Sequence, residues 1–178
     1  MSDIVKSLAR ILRFSLRGEQ TVTAGEEVAA LRDYLLIQKM RFEDYIRFDV
    51  EFDEHLSHYS ILKFILQPLV ENSISHGLSN KLTDGQVIVR VVEQGETLVF
   101  TVSDNGAGMT EAELDKLKCS IRDTEEERAY SKGGIGIGLK NIYRRLCYYY
   151  GNQASMNIES SYGVGTTVTL VLPKKKEM

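Results

Sequence analysis

The sequence has few cysteines, no long hydrophobic run and no excess of basic residues. Its two cysteines, Cys119 and Cys147, lie far apart without the spacing of zinc ligands. We therefore expect reduced thiols in a cytoplasmic setting and no structural zinc. The longest apolar stretch, residues 61–70, is interrupted by Lys63 and Gln67 and falls far short of the roughly 20 residues that span a bilayer. Lys and Arg total 22 against 25 Asp and Glu, which argues against a nucleic-acid-binding surface.

The remaining composition is that of an ordinary globular protein. The 178 residues are 43% hydrophobic and 26% charged, which is enough for one full core. No internal repeat or low-complexity linker divides the chain. We expect one domain with a short appendage.

Hydrophobic patterning predicts a mixture of helices and strands. Apolar residues at helical spacing predict helices at residues 3–17, 26–43, 60–76 and 139–149. Alternation of apolar and polar residues predicts strands at 45–52, 87–93, 98–103, 156–160 and 166–172. The first helix has a broad apolar face that needs a partner, either an upstream helix or a second copy of the chain. Residues 174–176 are predicted to form a solvated tail.

The predicted helix that ends at Gly77 carries polar residues opposite its apolar side. Asn72 and His76 are four residues apart and share one face. Asn72 has an amide oxygen suited to Mg²⁺. His76 could lie near a ligand, but a histidine at a helix end is also typical of a surface residue. The apolar side is formed by Leu66, Leu69, Val70 and Ile74.

Two glycine-containing stretches could approach a ligand closely. Asp104 ends a predicted strand and is followed by Gly106 and Gly108, so its carboxylate could accept a hydrogen bond from the amino group of a base. A plain Asp-Asn-Gly turn would explain the same residues. Residues 133–138 include four glycines and lead into a helix, whose N-terminus offers free N–H groups to phosphates. This run matches neither the Gly-x-x-x-x-Gly-Lys-Ser/Thr loop nor the dinucleotide fingerprint.

The charged segment between these stretches, residues 110–132, is weakly patterned after a short capped helix that starts at Thr110. A solvated surface loop would explain this composition. A mobile lid over a bound nucleotide would explain it as well.

Four motifs in order resemble the N, G1, G2 and Gly-Thr boxes of the GHKL superfamily of ATP-binding domains. They are Glu71-Asn-Ser-Ile-Ser-His-Gly, Asp104-Asn-Gly-Ala-Gly, Gly134-Ile-Gly-Ile-Gly-Leu and Gly163-Val-Gly-Thr-Thr. Within that superfamily, residues 12–16, 34–42 and 66–72 are similar to segments of the LytS-type sensor histidine kinases. The likeness extends over nearly the whole chain.

The resemblance implies a two-layer α/β sandwich of the GHKL (Bergerat) type, with a mixed β-sheet and helices on one face. Residues 19–178 would form the catalytic domain that binds ATP and Mg²⁺. Residues 1–18 would be the remnant of a helical hairpin that dimerises and carries the phosphoacceptor. In the full protein, a homodimer would transfer the γ-phosphoryl group of ATP to a histidine and then to the receiver domain of a response regulator. This domain would be cytoplasmic, and the full-length protein would be anchored in the bacterial inner (cell) membrane through upstream regions.

The same resemblance implies roles for individual residues. Asn72 would hold Mg²⁺, Asp104 would bind the adenine amino group, and Glu71 is the candidate catalytic residue that polarises the acceptor imidazole. The other implied nucleotide contacts are His76 and Gly77, Gly106 and Gly108 at the adenine, Gly134, Gly136, Gly138 and Leu139 at the phosphates, and Thr166 beside Asp104.

The chain departs from the family pattern in two places. GHKL ATPases and related serine kinases place an activating Glu four residues before the motif Asn, where this chain has Pro68. Hydrolysis or serine phosphorylation is therefore disfavoured. The acceptor motif Asn-Pro-His-Phe-Leu-Phe-Asn is absent, and His55, His58 and His76 do not match it, so we expect a kinase cut just after its acceptor helix. The alternatives are a GHKL ATPase that drives a clamp or switch, and a degenerate nucleotide-binding module.

Overall fold

The computed structural model describes residues 3–42, 45–79, 83–122 and 137–176. Its helices are α1 (Asp3–Leu16), α2 (Ala24–Phe42), α3 (Leu66–Asn72), α4 (Glu111–Arg122) and α5 (Ile137–Tyr150). Its strands are β1 (Thr21–Thr23), β2 (Ile46–Phe52), β3 (Ser60–Leu62), β4 (Gly85–Gln94), β5 (Thr97–Asp104), β6 (Ser155–Ser161) and β7 (Gly165–Pro173). A single π-helical turn, Ser73–Gly77, continues α3.

The main sheet has five strands in the order β2-β4-β5-β7-β6. The β2–β4 pair is parallel and the other pairs are antiparallel, so the sheet is mixed. Alternate residues of β4, β5 and β7 are buried in one core with apolar residues of α2, α3 and α5. This burial of one face explains the period of two in the sequence. The predicted α/β sandwich with helices on one face is confirmed.

Capping boxes form at the starts of α2 and α4, although the sequence predicted only the second, and α2 begins two residues before its predicted start at 26. Thr23 and Glu26 form a reciprocal capping box, in which each side chain accepts a hydrogen bond from the other residue's backbone N–H. Thr110 and Glu113 repeat the arrangement before α4. Strands β4 and β5 form an antiparallel hairpin, and Gly151, which has a φ of +57°, follows the end of α5.

The predicted helix at residues 60–76 is wrong over residues 60–65. Residues 60–62 form β3, which pairs with β1, and the helix begins only at Leu66. The buried apolar run 61–66 fits either a strand or a helix by periodicity alone. Residues 60–62 form a strand because they pair with β1, which is distant in the sequence. Pro68 lies in the first turn of α3, where its missing N–H would have no helical partner, so no kink is needed.

The bend between β3 and α3, which we call the elbow (residues 63–65), is held by two other helices. Phe64 has a φ of +57°, which is unfavourable for a bulky side chain. Glu27 of α2 accepts hydrogen bonds from the backbone N–H groups of Phe64, Ile65 and Leu66, at 2.9, 2.8 and 3.0 Å. Arg145 of α5 donates to the carbonyl oxygens of residues 63 and 64. The carboxylate therefore caps a helix that has no side-chain cap of its own.

Helix α1 packs on α2 through polar contacts. Asp33 accepts hydrogen bonds from Ser7 at 2.7 Å and from two nitrogens of Arg10 at 2.7 and 2.5 Å. The outer side of α1 exposes an apolar row, Val5, Leu8, Leu12 and Leu16. In the described ranges, no helix combines the length and apolar character that crossing a bilayer requires.

The predicted solvated tail is wrong, because residues 174–176 are tied to the body. Lys174 pairs with Glu93, and the carbonyl oxygen of Lys175 accepts a hydrogen bond from the Ser60 N–H at 2.7 Å. Lys175 also lies over the rings of Tyr149 and Tyr150. Partners from distant parts of the chain order this segment, and its composition alone does not reveal them.

We expect Glu27→Gln to destabilise the protein. The side-chain amide would place an N–H donor against at least one backbone N–H of the elbow, which should lower the free energy of unfolding by about 1–3 kcal/mol. Urea unfolding followed by circular dichroism measures the change, since the chain has no tryptophan. Glu159→Gln, on an exposed position of β6, is the matched control and should shift the value by about 0.5 kcal/mol or less. Equal stability of the two variants would contradict the capping role.

Candidate nucleotide site

The end of α3 brings Asn72 against the start of α5. The Asn72 side-chain nitrogen is buried and has no hydrogen-bond partner among the described residues. A Cβ atom on Gly138 would lie 3.2 Å from this nitrogen. Thus Gly138 lets the first turn of α5, with its free N–H groups, lie beside the Asn72 amide. Residues far apart in sequence meet here as the motifs predicted.

The following turn lies against Asp104 at the end of β5. A Cβ atom on Gly77 would lie 2.6 Å from Asp104 Oδ1, and one on Gly106 would lie 2.1 Å from the Gly77 carbonyl oxygen. The Ala107 N–H donates to that same carbonyl at 2.8 Å, and the Gly106 N–H donates to Asp104 Oδ1 at 2.9 Å. These distances leave no room for side chains at Gly77 and Gly106.

Asp104 belongs to a polar row that crosses three neighbouring strands. Asp104 of β5 is the direct partner of Thr166 of β7, and Thr166 is the direct partner of Ser160 of β6. Directly opposed residues point to the same face of a sheet. This is the helix-covered face, because Val102, Ile158 and Val168, two residues away on each strand, are buried in the core. The row therefore lies at the strand ends beside the tip of α3.

Two glycines with unusual backbone angles bring the loops after β5 and before β7 together. Gly108 has a φ of +63°, and a Cβ atom there would lie 2.0 Å from the Ser161 carbonyl oxygen. Gly165 has a φ of +136°, and its Cβ would lie 2.0 Å from the Asp104 carbonyl oxygen. Both angles are ones that glycine adopts readily and other residues rarely do. The backbone at the end of β5 is thus enclosed by close neighbours.

Glu71 precedes Asn72 and is held on the helix by a neighbouring side chain. Gln67 donates a hydrogen bond to Glu71 Oε1 at 2.9 Å, one helical turn away. Burial raises the pKa of Tyr34 to about 12, and the negative charge of Glu71 adds to that shift. Glu71 thus lies close to α2 as well as to α3. The Gln67 hydrogen bond therefore fixes the Glu71 carboxylate on the side of α3 that lies near Tyr34.

The remaining predicted site residues lie in different environments. His76 is exposed on the π-helical turn. Leu139 is buried in the core, so only its backbone could face phosphates. Gly134 and Gly136 lie outside the described residues, as do positions 123–132 of the predicted lid. The first part of the predicted lid forms α4, which packs on α5 and β6.

The donor set around Asn72 fits a hydrated cation bound together with a phosphate. Rotating the amide by half a turn exchanges its nitrogen and oxygen, so its unpaired end can present either an oxygen to Mg²⁺ or an N–H to a phosphate. In the part of the chain that the structure describes, no three His, Cys, Asp or Glu side chains gather as a metal site. Mg²⁺ commonly takes few protein ligands and completes its shell with water and phosphate oxygens.

Sequence reasoning missed Ser160 and Gly165 as parts of this site. Ser160 follows Met156 and Ile158 at a spacing of two, so a polar residue at an inward position was the available signal. Gly165 stood inside a recognised turn, but its contact with Asp104 depends on pairing between β5 and β7. No local sequence pattern reveals that Glu27 caps α3, because the backbone N–H groups that it binds are 37 to 39 residues away.

A cavity of about 530 Å³ lies elsewhere, between the end of α1, the elbow and α5. Its lining includes Arg17, Arg144 and Tyr148. None of the predicted site residues that the structure describes contributes to this cavity. The cavity is therefore separate from the site formed by Asn72 and Asp104.

Comparison with protein families identifies most of the chain. A sequence model described as histidine kinase-, DNA gyrase B- and HSP90-like ATPase matches residues 58–176. Another, described as histidine kinase, matches residues 1–46. Sensor protein kinase HptS of Staphylococcus aureus, in strains bovine RF122 / ET3-1 and USA300, is 31% identical over 171 residues. The match covers 96% of this chain and 32% of HptS, so the chain spans about a third of the length of these relatives.

Solved structures of similar fold are histidine kinase domains. The domain from the Erythrobacter litoralis EL346 blue-light activated histidine kinase has a TM-score of 0.60 at 20% identity, over 97% of this chain and 73% of that one. Mycobacterial sensor histidine kinase MprB has a TM-score of 0.57 at 19% identity, over 88% of this chain and 98% of that one. At such identities the likeness shows the fold. The chain belongs to the histidine kinase-, DNA gyrase B- and HSP90-like ATPase family, and its fold is that of a histidine kinase ATP-binding catalytic domain.

Proposed function

We propose that this chain is the catalytic part of a LytS-type sensor histidine kinase that binds ATP with Mg²⁺. The observation that carries the proposal is the meeting of three motifs at the tip of α3. There Asn72 faces Gly138, and Gly77 faces Asp104. Such a site has a carboxylate for an amino group on a base at one end, and a helix N-terminus for phosphates at the other. The assignment to the LytS type rests, in addition, on the similarity of segments 12–16, 34–42 and 66–72 to that family.

The proposed reaction passes the γ-phosphoryl group of ATP to a histidine on an upstream helix. Glu71 would polarise the incoming imidazole, and Gln67 would hold that carboxylate in place. Bound Mg²⁺ would neutralise charge on the phosphates. Asn72, the backbone of residues 134–139 and His76 would orient the nucleotide. The phosphoryl group would then go to the receiver domain of a response regulator.

We further propose that α1 belongs to the dimerisation and phosphoacceptor hairpin, with residues 19–178 as the catalytic domain. The exposed row Val5, Leu8, Leu12 and Leu16 supports pairing of α1 with another helix. In this arrangement the full-length protein is a homodimer. The catalytic domain lies in the cytoplasm and a membrane anchor lies in another region of the protein.

The second candidate function is an ATPase whose nucleotide drives a clamp or switch. Its support is the family, which includes such ATPases. Pro68 argues against it, because the position four residues before Asn72 has no side-chain base. Steady release of phosphate from Mg·ATP by this chain would favour the ATPase over the kinase.

Asp104→Asn is expected to weaken nucleotide binding selectively. The new amide can still accept the Gly106 N–H hydrogen bond, but it replaces one acceptor with a donor that faces the adenine amino group. We expect the Kd of a non-hydrolysable ATP analogue with Mg²⁺ to rise roughly ten- to a hundredfold. Calorimetric titration measures it, and unchanged affinity would remove Asp104 from the adenine site. No binding by the parent chain would refute the proposed function.

Gly77→Ala should also weaken binding, for a steric reason. The added methyl would lie 2.6 Å from Asp104 Oδ1, so the carboxylate or the turn must move. Gly18→Ala is the matched control, because none of the described residues has an atom within 4 Å of a Cβ placed there. The same titration should show that nucleotide affinity falls by at least about tenfold in Gly77→Ala and does not change in Gly18→Ala. Similar affinities for both variants would contradict the close approach.

Glu71→Gln tests the catalytic assignment. The amide cannot polarise an imidazole as a carboxylate does, so we expect the rate of histidine phosphorylation to fall about 10²–10⁴-fold. The acceptor is a separate protein that carries the Asn-Pro-His-Phe-Leu-Phe-Asn motif, supplied with Mg·ATP. Nucleotide affinity should stay within about twofold, because the side chain is not assigned to nucleotide binding. Glu159→Gln serves as control, and an unchanged rate would exclude Glu71.

A further inference from the structure

The Ser160 hydroxyl joins three parts of the proposed adenine site. It contacts the Met109 backbone N–H at 2.9 Å, the Gly165 carbonyl oxygen at 3.0 Å and Thr166 Oγ1 at 2.9 Å. Met109 lies in the loop after β5, and the other two residues start β7. The hydroxyl therefore connects the loop that follows Asp104 with the strand that faces it.

Only one arrangement of hydrogens satisfies all three contacts. The Met109 N–H can only donate and the Gly165 carbonyl can only accept, whereas Ser160 has a single proton to give. That proton goes to Gly165, and Ser160 accepts from Met109. Ser160 must then also accept from Thr166, so the Thr166 proton points at Ser160. Thr166 Oγ1 has only lone pairs left for a ligand.

We propose that Ser160 is a positioning residue that favours adenine over guanine by fixing the direction of the Thr166 hydroxyl. The inference rests on the proposed nucleotide site. Thr166 stands directly opposite Asp104 on the same face of the sheet. The Asp104 carboxylate and a hydroxyl that can only accept both match the 6-amino group of adenine. Both repel the 6-oxo group of guanine, which has no hydrogen to donate.

Removing the Ser160 hydroxyl would free the Thr166 proton. Thr166 could then rotate and donate to the guanine oxygen, so discrimination between the bases would fall. Ser160 also anchors the loop at Met109, and loss of that anchor would weaken both nucleotides together. The ratio of the two affinities separates the positioning role from a merely structural one.

The test compares β,γ-imido analogues of ATP and GTP, each with Mg²⁺, by calorimetric titration into the 178-residue chain. For Ser160→Ala we expect the preference for the ATP analogue to fall roughly three- to tenfold. Ser161→Ala, on the adjacent exposed serine, should leave the preference unchanged, and Ser160→Thr should retain it. Ser160→Cys fills the same space with a weakly hydrogen-bonding thiol, so it replaces the alanine variant if that variant does not fold. In a Thr166→Val background, Ser160→Ala should cause no further change in preference.

A preference that changes less than twofold in Ser160→Ala or Ser160→Cys would overturn the inference, even if both affinities fall together. A parent chain that binds the ATP analogue with no preference over the GTP analogue would also overturn it, while leaving the proposed function intact. A parent chain that binds neither analogue would refute the proposed function and the inference with it.

Discussion

The position of the whole site depends on one buried carboxylate, that of Glu27. Helix α3 has seven residues, too few to be stable alone, and it begins without a side-chain cap from its own segment. Glu27 supplies the cap from α2 through three backbone N–H groups. Burial raises the pKa of Glu27, while these hydrogen bonds and the charge of Arg145 act in the opposite direction. Without this partner the buried N–H groups would be unsatisfied at appreciable cost.

The elbow also connects α1 to α3. Phe14 of α1 meets Phe64 edge to face at 5.2 Å, and the Lys63 ammonium lies over both rings. Lys63 donates to the carbonyl oxygen of Arg17, just after α1, at 2.7 Å. The left-handed backbone at Phe64 costs of order 1–3 kcal/mol and persists because contacts from α1, α2 and α5 converge on it. Helix α3 therefore leaves a rigid support with its tip aimed at Gly138 and Asp104.

The glycines of the motifs are required mainly because neighbouring atoms approach their backbone closely, and less because they are flexible. Gly77 and Gly106 lie where a side chain would overlap Asp104 or a backbone carbonyl, and Gly138 lies against Asn72. At Gly108 and Gly165 the positive φ angle is a second reason why the residue is glycine. The end of α3, the loop after β5, the start of α5 and the turn before β7 thus come within contact distance, which brings N–H groups, a carboxylate and an amide together.

The sequence alone determined the features that depend on near neighbours. The capping box at Thr110, helical and strand periodicity, and the family motifs located most elements and named Asn72, Asp104 and the glycines as candidates. The tertiary structure decided what depends on distant partners. Residues 60–62 became a strand because β1 pairs with them, the C-terminal lysines are ordered by β4 and α5, and Ser160 joined the site because β6 pairs with β7. The physical reason is that short apolar runs and isolated polar residues fit several local conformations, and only contacts across the fold select one of them.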